Sequence, residues 1–195
     1  MTNFLTQNAK LKKTSKVTGI KTFDFAITAK LTCPKAKDCL AYCYASRGAY
    51  VTYPVVKNKL AQNFEATKQK SFVSLMYNEI VKKKIQAVRI HSSGDFYNQR
   101  YLNKWKKLAG MMPDITFYAY TKSLHLFKEH GENKKLPKNL VIIYSYGGKL
   151  DHLINPKKDR HAIVYTGVLP KGYSYANDND HIALAKNKKI ALLKH

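Results

Sequence analysis

Apolar and polar residues trade places at two periods along this chain, and the switches outline alternating strands and helices. Residues 23–28 (FDFAIT) alternate with period two, as a half-buried strand does. Over residues 55–84 the period lengthens. Leu60, Ala61 and Phe64 make one apolar face and Phe72, Met76 and Ile80 another, with Ser71 placed to cap the second of two helices. Residues 87–90 (AVRI) read as a short strand running into His91-Ser92-Ser93-Gly94-Asp95. The clearest helix follows: Tyr101, Trp105, Leu108 and Met112 form a stripe widened by Leu102 and Ala109, with Arg100, Lys104 and Lys107 opposite. Gly110 and Pro113 should end it, and Trp105 should lie in the core. Residues 115–120 form the next strand, after which Ser123 can cap a short helix over 124–130 that Gly131 stops. The apolar run at 140–144 suits a strand buried on both faces of a parallel sheet, and 161–165 repeats the theme.

Other stretches carry less pattern. Residues 1–20 are a polar, basic lead-in with no assigned element, expected to be poorly ordered; residues 46–56, with Gly48 and Pro54, read as loop. The apolar pieces at 182–185 and 190–193 receive no assignment. No repeat or linker interrupts the chain, so 1–195 is expected to be a single α/β domain. Alternating strands and helices imply five or six mainly parallel strands joined by right-handed crossovers. An open or partial barrel and a doubly wound sheet fit that pattern equally.

No stretch approaches the ~20 apolar residues of a membrane span, and the N-terminal residues have no apolar core or cleavage site of a secretory signal. The expectation is therefore a cytoplasmic protein without a membrane partner. The net charge of +23 points to an anionic partner, nucleic acid first. Against that, Lys supplies 31 of the 35 basic residues, whereas readers of bases and phosphates favour Arg. Lys, Asn, Ile and Tyr also share A/T-rich codons, a second source for the charge.

The candidate chemistry gathers where strands end. The chain has three cysteines, Cys33, Cys39 and Cys43, all in the loop after the first strand, in the spacing C-x5-C-x3-C. Reduced thiols, odd in number, argue against disulfides and leave metal or cluster ligation as the leading use. Three thiolates are one short of a closed site, so a [4Fe-4S] cluster held here would keep one iron open for a small molecule. Zinc is the competitor, with His91 or Asp95 as fourth ligand. Ligands of α/β sheets sit beyond the carboxyl ends of strands, which brings in His91, Ser92, Ser93, Gly94 and Asp95 and then Lys122. Asp95 has a second reading as cap of the helix that follows, and Lys122 could neutralise an anionic cofactor. His125, His130, His152, His161, His181 and His195 show no metal-ligand spacing. Ser92 and Ser93 lack the G-x-S-x-G frame of a hydrolase nucleophile.

The segments CPKAKDCLAYCYA, VRIHSSGDFYNQRYLNKW and FYAYTKS together resemble the phage family called gene product 88 over residues 20–125. The cysteine segment is also similar to radical S-adenosylmethionine proteins, where three cysteines after strand one hold a [4Fe-4S] cluster. That likeness implies a partial (β/α) barrel, an oxidoreductase working by redox or radical chemistry, and S-adenosylmethionine at the open iron. It also implies that Ser93-Gly94-Asp95, standing where that superfamily often has Gly-Gly-Glu, contacts the ligand's amino group. The superfamily's usual spacing is C-x3-C-x2-C. A phage origin would make the location the host-cell cytoplasm. The rival expectation is a basic nucleic-acid-binding protein whose cysteines hold a structural zinc or cluster.

Overall fold

The computed structural model describes residues 3–128, 136–176, 178–185 and 187–194. Strands β1 (Thr22–Phe25), β2 (Ala87–Ile90), β3 (Thr116–Thr121), β4 (Leu140–Ser145), β5 (His161–Tyr165), β6 (Ser174–Tyr175) and β7 (Lys189–Leu193) form one sheet. Their order is β1-β2-β3-β4-β5-β7-β6, and every neighbouring pair is parallel. The first five lie side by side in chain order, with no reversal of the kind a doubly wound sheet has. Right-handed crossovers in one direction put the connecting helices on one side, and the sheet curls into a half-barrel. The α/β class expected from the sequence holds. The strand count rises to seven, because β6 has only two residues and β7 falls in a tail without a clean period.

The helices are α1 (Ala9–Thr18), α2 (Ala49–Thr52), α3 (Pro54–Lys68), α4 (Phe72–Lys83), α5 (Gln99–Met111), α6 (His125–Lys128) and α7 (His181–Leu184). Strand alternation sends Phe117 and Ala119 to one face of β3 and Tyr118 to the other. The first face meets α4 and α5 in the larger core, where Trp105 makes edge-to-face contacts with Phe25 and Phe72 at 5.3 and 5.4 Å. The second face carries a smaller core of Tyr118, Ile143, Ala162 and Ile190, closed by Ile182 and Ala183 of α7.

Several local expectations are corrected. The N-terminal lead-in contains α1, capped by Asn8, whose side chain accepts from the Leu11 amide, and stopped at Gly19 in the left-handed region. Leu11 and Thr14 are its buried residues, too thin a stripe for periodicity to reveal. Pro54 opens α3 at its first turn, where a missing N–H costs nothing. Ser71 stands at the N-cap position of α4 but its side chain makes no capping bond. Gly110 lies inside α5, which runs on to Met111. Ser123 directs its hydroxyl to the Phe96 carbonyl. His130 and Gly131, expected to close the helix after β3, and His195 lie outside the described residues. Among the described residues no helix is long and apolar enough to cross a membrane.

Candidate functional site

The loop leaving β1 carries the three cysteines and is fastened at both ends. At its start, the Asn63 amide on α3 donates to the carbonyls of Phe4 and Ala26, at 3.1 and 2.8 Å. Further on it docks against the turn after β4. Cys39 N and Lys37 N both donate to the Gly147 carbonyl at 3.2 Å, Lys149 N donates to the Lys35 carbonyl at 2.8 Å, and Ala36 pairs with Gly148. The Asp151 carboxylate in turn accepts from Gly147 N and Gly148 N at 2.8 and 3.0 Å. Gly147 has φ +95°, and a Cβ there would lie 2.8 Å from the Tyr42 hydroxyl. Only glycine allows both the backbone conformation and the approach of the loop.

The segment after β2 packs beneath that loop. His91 takes φ +68°, which turns its ring to the helix side, edge-to-face with Phe96, with Nε2 2.8 Å from the Tyr101 hydroxyl. Burial alone pushes its pKa down to about 3, so the ring is neutral. Ser92 donates from N and Oγ to Asp24, and Ser93 donates from Oγ to the Ile27 carbonyl. Gly94, at φ +88°, sits so close that a Cβ would be 2.4 Å from Ile27 and 2.7 Å from Thr32. Asp95 accepts from Phe96 N, the Thr121 hydroxyl and Lys122 N, at 2.7, 2.6 and 2.8 Å, and thereby ties the end of β2 to the end of β3. Burial raises its pKa and the hydrogen bonds oppose the rise. It does not cap α5; the Asn98 side chain does that, accepting from Tyr101 N. Lys122 reaches Ser145 with Nζ, 2.8 Å from its hydroxyl.

All three cysteines line one cavity of about 440 Å³, and His91, Ser92, Ser93, Gly94, Asp95 and Lys122 line it with them. The cavity lies at the carboxyl end of the strands and reaches down the inner wall to Tyr120, at the end of β3, and to Arg89 and Lys10, which sequence reasoning did not single out. Arg89 donates to Asp180 at 2.9 Å, as does the Tyr118 hydroxyl, and Lys10 lies 3.0 Å from the other Asp180 oxygen. Asp24 pairs with Arg89 in strand register. A signal was available, since Asp24 and Arg89 are charges inside otherwise apolar strands, alternating with Phe25 and Ile90. Tyr42, Asp151 and Lys194, whose Nζ lies 5.1 Å from the Tyr42 ring centre, gave no such signal.

The donor set is soft and unbridged: the three cysteines are free and half-buried. Burial, reinforced by the Asp95 charge, pushes the Cys33 thiol up to about 12; burial also raises Cys39, against the pull of Lys122. Such thiols stay protonated until a metal displaces the proton. Among the described residues no three His, Cys, Asp or Glu side chains are grouped so as to hold a metal ion. A zinc ion needs its sulfurs at ~2.3 Å from one point, whereas a cluster offers separate irons to separate sulfurs and suits ligands spread around a cavity. Three thiols lining one cavity are the donor type that iron–sulfur clusters use. The model of the gene product 88 family matches residues 2–195. The chain belongs to the gene product 88 family. A stretch of 103 residues is 32% identical to the Gene 88 protein of Mycobacterium phage L5, covering 47% of this chain and 43% of that protein. This member of the gene product 88 family therefore aligns with less than half of its phage relative's length. No solved structure matches the chain.

Proposed function

We propose that this protein is a [4Fe-4S] protein, with Cys33, Cys39 and Cys43 as ligands and one iron left open for a small molecule. The observation that carries this reading is that all three thiols of the chain face one cavity at the carboxyl end of a parallel half-barrel. A cluster bound there supplies one-electron redox chemistry at an iron that has no protein ligand. The chain's own residues do the rest. Gly147 and Gly148 lock the cysteine loop, Asp95 joins two strand ends under it, and Lys122 places a cation close enough to Cys39 to favour its thiolate. By the likeness of its cysteine segment, S-adenosylmethionine is the candidate for the open iron, Ser93-Gly94-Asp95 its contact, and a radical-type oxidoreductase the activity class. The reading places the protein in the cytoplasm of the infected host, where thiols stay reduced.

Anaerobic purification should give a brown protein with broad visible absorption, and Cys39→Ser should abolish that absorption. A wild-type chain purified this way without colour would overturn the proposal. Titration with S-adenosylmethionine should perturb the spectrum of the reduced protein; an unchanged spectrum would remove that ligand and leave the cluster.

A further inference from the structure

Below the cysteines, the inner wall of the half-barrel holds two donors that lack acceptors. Arg89 is 9% exposed, and one terminal nitrogen is used on Asp180, but its Nε has no hydrogen-bond partner among the described residues. The Tyr120 hydroxyl is shielded and likewise has none. The two are neighbours, with the Arg89 guanidinium 5.3 Å from the Tyr120 ring centre, and both residues line the cavity. Buried polar groups are satisfied in more than about nine cases in ten, so each of these two groups calls for a partner that the described residues do not supply.

The surrounding charge has the same sign. Lys10 and Arg89 share the single carboxylate of Asp180, which leaves one positive charge over. Asp24, the other acid near Arg89, has both oxygens occupied by Ser92. Lys122 and Lys194 face the same cavity, while Asp95, the one acidic lining residue among the described residues, has its oxygens occupied. Apolar and aromatic side chains line part of the rest: Val164, Leu192, and the Tyr44–Tyr50 pair with rings 5.7 Å apart, edge to face. The volume falls within the range of small-molecule sites, about 300–1,000 Å³.

We infer that this inner wall binds a small organic anion, whose carboxylate or phosphate is held by Arg89 and Tyr120 while its body lies against the tyrosines. The site is built by β2, β3 and the residues around Asp180, and it does not depend on what the cysteines hold. The test uses the full chain with two probes, benzoate and inorganic phosphate, and reads the Arg89 Nε–H resonance by NMR. At least one probe should shift that resonance saturably; benzoate alone marks a carboxylate ligand, and phosphate alone a phosphate. Tyr120→Phe keeps the ring and removes only the unpartnered hydroxyl. It should weaken binding about tenfold while leaving the melting temperature equal or higher. Cys39→Ser should still bind the probe, so loss of the cluster reading would leave this site standing. No saturable shift with either probe, or unchanged affinity in Tyr120→Phe, would overturn the inference. A lowered melting temperature in that variant would do so too, because it would show that the hydroxyl already has a structural partner.

Discussion

Asp24 shows how much one residue can reveal about the site. It stands on β1 between Phe23 and Phe25, 4% exposed, with both oxygens accepting from Ser92. The groups facing it are Arg89 from β2, Asp180 beside α7, Tyr44 from the loop and Tyr50 from α2. Burial outweighs the Ser92 hydrogen bonds and the Arg89 charge, raising its pKa from 3.8 to about 6. The folded chain therefore holds a proton that the unfolded chain has released between these values. This contribution to stability is full below the unfolded value, declines as pH rises through about 6, and is absent above it. Asp24→Asn should raise stability at neutral pH by about 1–2 kcal/mol and flatten that decline. The check is denaturant unfolding of both forms across the acid range. A wild-type-minus-variant difference independent of pH would show that Asp24 does not titrate as described.

At the scale of elements, the cysteine loop depends on a turn far away in sequence. Gly147 follows β4, yet its carbonyl accepts the hydrogen bonds that fix Lys37 and Cys39, while Gly148 bridges to Ala36. Gly147→Ala would strain φ +95° and press on the Tyr42 hydroxyl. The expected result is a loss of about 1–3 kcal/mol, and faster reaction of the metal-free thiols with a thiol reagent; unchanged reactivity would show that the loop holds its place without the turn. This dependence also explains what sequence reading could and could not reach. The strands at 87–90, 115–120, 140–144 and 161–165 and the Trp105 helix were legible, because burial writes either a period or a continuous apolar run into the chain. The cysteines and the His91–Asp95 segment were legible through residue type and position after a strand. Helix α1 was not, since its buried face is only Leu11 and Thr14. Nor were the Asp151 clasp on Gly147 and Gly148 or the Arg89–Asp180 pair, the latter separated by 91 residues. Polar pairs at such distance leave no periodic trace, although a charge inside an apolar strand is a usable warning.

At the scale of the whole molecule, the half-barrel settles a choice the pattern left open. The first five strands, in chain order, belong to a sheet that curls and leaves its inner wall partly free; a doubly wound sheet would cover both faces. The larger core fills the outer side, α7 plugs part of the inner side, and the remaining inner space is the cavity shared by the cysteines and Arg89. The charge of +23 surrounds this arrangement. It makes anionic ligands favourable near the cavity, and no described feature assigns it to base or phosphate reading on a polymer. The three thiols are proposed to act together on one cluster, so the deciding measurement is metal and acid-labile sulfide analysis of anaerobically purified protein. It should return about four irons and four sulfides per chain, both lost in Cys39→Ser. Zinc without iron or sulfide in the wild-type preparation would contradict it.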